Sequence, residues 1–133
     1  MEWKIGCSGY HYPEWKGMFY PENIAQRKWF EFYSEHFNSL ELNSTFYRFP
    51  RVEHLKSWYN RSPGDFSFTV KAPRHITHFR KFKEAHQMLN DFYQSVKDGL
   101  REKLGCVLFQ FPVKYKYDPD RLQKIIDMLF TWI

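Results

Sequence analysis

At 133 residues the chain has the length of one ordinary domain and can bury a real core. Two cysteines, no secretory leader and no long apolar run point to a reducing cytoplasmic setting and exclude a membrane span. The net charge of +5 suits phosphate-bearing partners, but the basic residues are scattered rather than gathered into a run, and the 21% of aromatic residues must be housed mostly in the core and on helix faces.

In chain order, Trp3 to Ser8 alternates as a short strand, with Ile5 and Cys7 on one face and Lys4, Gly6 and Ser8 on the other. The segment from Gly9 to Gly17 has turn residues at both ends and reads as an extended connection. Together with Phe19 and Tyr20 it concentrates Tyr10, Tyr12 and Trp15, flat rings able to stack on a sugar or a base. After Pro21, the helical spacing of Trp29, Phe30, Tyr33 and Phe37 predicts a helix from about Ile24 to Phe37.

Ser39 to Pro50 is the stretch richest in chemistry. As an extended strand it sets Leu40 and Leu42 on one face and Glu41 and Asn43 on the other, then runs out into Thr45, Tyr47 and Arg48 at its carboxyl end. A carboxylate and an amide inside a strand are too costly to bury unpaired, so they either meet partners or open into a site. A helix over Val52 to Asn60 follows, and the turn Ser62-Pro63-Gly64 leads to a third strand, Asp65 to Ala72. There Phe66, Phe68 and Val70 face one way and Ser67, Thr69 and Lys71 the other.

A loop carrying Arg74, His75, Thr77 and His78 precedes a helix predicted from Lys83 to Val96, and Gly99 and Gly105 bracket a basic connector. Cys106 to Phe111 reads as the fourth strand, closed by Pro112. Cys7 and Cys106, each inside an apolar run, read as small hydrophobes rather than a metal or redox pair. Asp118-Pro119 is a strong helix start for the segment carrying Leu122, Ile125, Ile126 and Leu129, because the Asp side chain caps free amides and proline suits the first helical position.

Four strands, each followed by a helix, predict an α/β domain of parallel strands with right-handed crossovers over residues 1–133. A flavodoxin-like open sheet and half of a TIM-type (β/α)8 barrel both fit that count. Polar residues alternating within the strands favour the (β/α)4 half-barrel, since a barrel interior near its mouth is polar whereas a doubly wound sheet buries both faces of its central strands. Strand parity then gathers Ser8, Glu41, Asn43, Lys71 and Gln110 toward one cavity at the strand carboxyl ends, where barrel enzymes keep their chemistry.

In that set Glu41 is the candidate general acid or base and Lys71 the group that stabilises negative charge on a substrate oxygen. Ser8, Asn43 and Gln110 would orient hydroxyls, Tyr10, Trp15, Thr45 and Tyr47 would line the substrate, and Arg74 and His78 would hold a phosphate or carboxylate. The bland alternative is a Glu41–Lys71 ion pair with amide neighbours and no substrate. His75 and His78 lie three apart in a loop without a nearby carboxylate or cysteine, so no metal site is assigned; the cofactor is left open. A Gly-rich phosphate loop, a Ser nucleophile elbow, a CxxC and a His-Glu-x-x-His are all missing.

Strings throughout the chain resemble the DUF72 family, also called YecE-like. They are Ile5-Gly6-Cys7-Ser8-Gly9-Tyr10 with Tyr12-Pro13-Glu14-Trp15-Lys16-Gly17, Phe19-Tyr20-Pro21, and Glu41-Leu42-Asn43-Ser44-Thr45-Phe46-Tyr47. Val70-Lys71-Ala72-Pro73-Arg74 with Ile76-Thr77-His78, Leu108-Phe109-Gln110-Phe111-Pro112 and Tyr117-Asp118-Pro119 complete the series. The resemblance implies the front half of a barrel roughly twice this length, a truncated unit whose first and fourth strands are free edges open to self-association. It implies no established reaction. An enzyme of isomerase, epimerase or hydrolase type acting on a small polyhydroxylated or phosphorylated compound is the first expectation; a nucleic-acid-binding or endonuclease-like barrel, or a catalytically inert fragment, are the alternatives.

Overall fold

The computed structural model describes residues 2–132. Four strands, β1 (Gly6–Ser8), β2 (Ser39–Leu42), β3 (Ser67–Lys71) and β4 (Leu104–Leu108), form one parallel sheet in the order β1-β2-β3-β4. Strands adjacent in sequence are adjacent in the sheet, so it lacks the order reversal of a flavodoxin-like sheet. Helices α1 (Trp29–His36), a single turn α2 (Ser44–Tyr47), α3 (Val52–Arg61), α4 (His86–Leu100) and α5 (Pro119–Phe130) complete the chain. No described helix is long and apolar enough to cross a membrane.

Strand parity divides the sheet into two unlike faces. Leu40, Leu42, Phe68 and Val70 are buried beneath the helices with Trp29, Phe30, Tyr33, Leu55, Leu89, Phe92 and Val96. Ser8, Glu41, Thr69, Lys71 and Cys106 alternate with them and stay exposed or half-buried.

Several element boundaries move for identifiable reasons. The first strand was expected from Trp3 but begins at Gly6, because the Asn38 side chain takes the place of ladder partners. Its Oδ1 accepts from the Ile5 N–H at 2.7 Å and its Nδ2 donates to the Trp3 carbonyl at 2.8 Å. Helix α1 starts at Trp29 rather than Ile24, since the preceding residues carry the loop that stacks Tyr20 on Trp29, ring centroids 4.5 Å apart.

The second strand stops at Leu42 instead of running to Pro50. Asn43 is already helical (φ −79°, ψ −26°), and the Thr45 hydroxyl lies 2.8 Å from the Leu42 carbonyl, offering that acceptor a local donor in place of a ladder.

The fourth helix cannot begin at Lys83, because Lys81, Phe82 and Glu84 all have positive φ while Phe82 is buried against Phe109 and Phe111. The two glycines expected to bracket a connector lie inside elements. Gly99 is in α4, where a Cβ would sit 2.3 Å from that of Leu55, so its bareness lets α3 and α4 approach closely. Gly105 is in β4 at a register irregularity opposite Phe68 and Thr69, where a Cβ would meet the Ser67 hydroxyl at 2.1 Å. The Asp118 cap forms as expected: its carboxylate accepts from the Arg121 N–H at 2.8 Å.

Candidate functional site

The open face gathers four polar side chains from three neighbouring strand ends. Ser8 closes β1, Glu41 lies next to last in β2, Asn43 follows β2 and Lys71 closes β3. The parallel register sets Ser8 beside Glu41 and Glu41 beside Thr69, with Lys71 two residues further on.

Their hydrogen bonds run in one direction. The Lys71 ammonium donates to Asn43 Oδ1 at 3.1 Å, Asn43 Nδ2 donates to Ser8 Oγ, and Ser8 Oγ donates to Glu41 Oε1 at 3.0 Å. Lys71 Nζ lies 3.8 Å from the same Glu41 Oε1, which closes the ring. Donors point from the cation toward the anion, so each bond polarises the next.

Neither charge is fully sealed from water: the Lys71 and Glu41 side chains retain 14% and 24% of their exposure. Among the described residues Glu41 Oε2 has no hydrogen-bond partner, so one carboxylate oxygen is held in position while the other is uncommitted. A cavity of about 320 Å³ opens beside Glu41 and Asn43, walled by the Gly9–Tyr12 loop, the end of β2 and Trp58. The Gly9 N–H bonds the Glu41 carbonyl at 3.1 Å and ties that loop to the strand.

The remaining expected residues separate into groups. Arg74 lies between the Tyr47 and Phe79 rings, 5.6 and 5.4 Å from their centroids, and its buried Nε has no partner among the described residues. His78 accepts or donates through Nδ1 with the Thr77 hydroxyl at 2.8 Å and sets its ring edge against Phe46 at 5.1 Å. Phe46, which sequence reasoning did not single out, also has Lys71 Nζ 5.2 Å from its centroid. It joins the relay to the Arg74–His78 segment. Its sequence signal was its place in the string Glu41-Leu42-Asn43-Ser44-Thr45-Phe46-Tyr47.

Thr45 is 5% exposed and its hydroxyl is 2.6 Å from the Lys71 carbonyl, so it ties α2 to β3 and does not line the cavity beside the relay. Gln110 lies beyond β4, exposed, with no hydrogen bond to the relay. Tyr10 lines the cavity but its ring packs on Phe30 and Trp58, and burial raises its phenol above the ordinary value. Trp15 packs within its own loop against Tyr12, Phe19 and Tyr20. These two rings are therefore engaged by the fold rather than held free for stacking. Among the described residues no three His, Cys, Asp or Glu side chains gather as a metal centre would need.

Residues 4–132 match the model of a family described as protein of unknown function DUF72. The chain is 34% identical over 98 residues to the UPF0759 protein YunF of Bacillus subtilis, a match covering 70% of this chain and 35% of the relative. It is 26% identical over 111 residues to the UPF0759 protein YecE of Escherichia coli K12, covering 84% and 38%. A crystal structure of a DUF72 family protein from Thermotoga maritima superposes with a TM-score of 0.80 at 26% identity, across 97% of this chain and 52% of that one. One from Enterococcus faecalis gives 0.74 at 19% identity, over 95% and 46%, a likeness of fold alone. The chain thus spans 35–38% of the length of these curated relatives and about half that of the solved ones.

Proposed function

The chain belongs to the DUF72 family, and from that premise we propose that its sheet is the front half of a (β/α)8 barrel doing acid–base chemistry on a small polyhydroxylated or phosphorylated compound. The half-barrel reading draws support from the sequential strand order and from the division into an apolar, helix-covered face and a polar, open one.

The chemical reading rests on one observation, the relay that fixes Glu41 Oε1 and leaves Oε2 uncommitted. Glu41 takes a proton from a substrate carbon or hydroxyl through Oε2. Lys71, already aligned by Asn43, faces the oxygen on which negative charge develops, and Ser8 and Asn43 keep the pair in register. Arg74 and His78 receive an anionic group at the edge of the site. This is isomerase- or epimerase-like chemistry.

Sugar phosphates are the test ligands. A ligand that prefers the folded state stabilises it by ~2.7 kcal/mol at a hundredfold excess over Kd, and the melting temperature rises accordingly. The rise is expected in the wild type and lost in Glu41→Gln and Lys71→Met. A rise of equal size in both variants would place the ligand elsewhere and end the reading.

The edges of β1 and β4 carry unpaired backbone groups on their outer sides. In this chain they pair with the corresponding edges of a second copy, closing the polar face. Sedimentation at rising concentration is expected to give a dimer; a monomer throughout would overturn the pairing.

A further inference from the structure

A second cavity, of about 330 Å³, lies where the chain passes from β2 through α2 into α3, and it is built differently from the relay. Its floor is apolar: Leu42 and Leu55 are each 3% exposed, and Trp58 closes one side. The rim carries Arg48, Arg51 and His54, and none of its lining residues is acidic. Among the described residues these three side chains enter no salt bridge and no hydrogen bond.

Local sequence explains the shape. Phe49 precedes Pro50, so the chain runs extended there and Arg51 remains extended (φ −92°, ψ 137°) before α3 begins. Arg51 also occupies the position where α3 would ordinarily carry an Asp, Ser or Asn cap, and it contributes no capping bond.

The site does not depend on any partner for its walls. β2 is an interior strand flanked by β1 and β3, and every wall comes from residues 42–58. Two guanidiniums and an imidazole without partners, set around an apolar floor, match a ligand with an apolar body and an anionic end. A volume near the lower bound of small-molecule pockets, about 300 Å³, limits that body to a single ring or a short chain.

We propose that this cavity binds a small amphipathic anion, an aromatic or short-chain phosphate or carboxylate, with its apolar part over Leu42, Leu55 and Trp58 and its charge between Arg48, Arg51 and His54. The cavity adjoins that of the relay, sharing Leu42, Ser44 and Trp58 with it, but none of the four relay side chains lines it, and the proposal does not rest on the function proposed for them.

Phenyl phosphate is the probe, titrated into the intact chain and followed by calorimetry and amide chemical shifts, with inorganic phosphate and phenol as the two half-ligands. Phenyl phosphate is expected to bind more tightly than either half, with shifts centred on residues 48–58. Arg48→Gln and Arg51→Gln, both at exposed positions, should each weaken it by about tenfold or more, as loss of a charge-assisted contact does. Ser57→Phe, which fills the cavity without touching the charges, should abolish it, while Lys71→Met should leave it intact. Equal binding of phenol and phenyl phosphate, retention in Ser57→Phe, or loss in Lys71→Met would each overturn the proposal.

Discussion

Two lysines, one just ahead of β4 at the C-terminal end of α3 and one on the open face of the sheet, are used in opposite ways. On the helix-covered side Lys103 is 7% exposed, and its ammonium donates to the Tyr59 carbonyl at 2.8 Å and to the Ser62 carbonyl and hydroxyl at 2.9 Å each. All three protons are committed to the C-terminal end of α3, where a cation also complements the helix dipole. Burial lowers its pKa. On the open side Lys71 donates one 3.1 Å hydrogen bond, faces a carboxylate at 3.8 Å and keeps donor capacity to spare. A buried charge with every proton placed is architecture. One held by a relay with capacity left over is available to a ligand.

The sharpest way to break this contrast uses two adjacent residues of β3. Phe68 is fully buried against Phe30, Trp58 and Phe66, whereas Thr69 faces the open side and only accepts a weak bond from Cys106. Phe68→Ala is expected to cost about 3–5 kcal/mol, the usual loss for truncating a buried aromatic. Thr69→Ala should stay within about 0.5 kcal/mol. Urea denaturation reads both, and comparable losses would mean that the open face is a second core.

Lys103→Met comes next. It leaves the Ser62 carbonyl without its donor and the Tyr59 carbonyl with the Ser62 hydroxyl alone, and about 2 kcal/mol is expected to be lost. Lys71→Met should change stability by less than half of that while removing ligand response. Reversed magnitudes would exchange the roles of the two lysines.

Much of this division was legible in the sequence, for a physical reason. Period-two alternation in β2 and β3 states directly which side chains meet the helices, and Leu40, Leu42, Phe66, Phe68 and Val70 are all buried as it implied. The same parity brought Ser8, Glu41, Asn43 and Lys71 together. It failed at Gln110 because β4 ends at Leu108, and parity has no meaning beyond the ladder. It failed at Thr45 because a hydroxyl bonding the local backbone turned the chain helical, a competition that spacing alone does not reveal. The left-handed residues before α4 are held by burial of Phe82 against rings nearly thirty positions away, a long-range contact with no local sign.

Smaller effects test how far the covered side acts as one unit. Removing the Asp118 cap of α5 with Asp118→Ala is expected to cost about 1 kcal/mol, seen as a lower thermal midpoint with unchanged helix content at low temperature. Smallest is the ion pair that joins α1 to α3. Arg61 Nε and Nη2 each donate to a Glu31 oxygen at 3.0 Å, and this bidentate hydrogen bonding holds the Glu31 carboxyl below its ordinary range. A carboxylate whose folded pKa is depressed contributes stability above its unfolded value, near about 4.3, and loses it as pH falls through the lower folded value. With both side chains 34% exposed, solvent screening limits the pair to about 1 kcal/mol or less. Glu31→Gln should therefore be less stable than the wild type by that margin at pH 7, and the gap should close as the pH drops below the carboxylate range. A gap that persists in acid would trace the loss to packing against Phe30, over which the Arg61 guanidinium sits at 5.3 Å, rather than to charge.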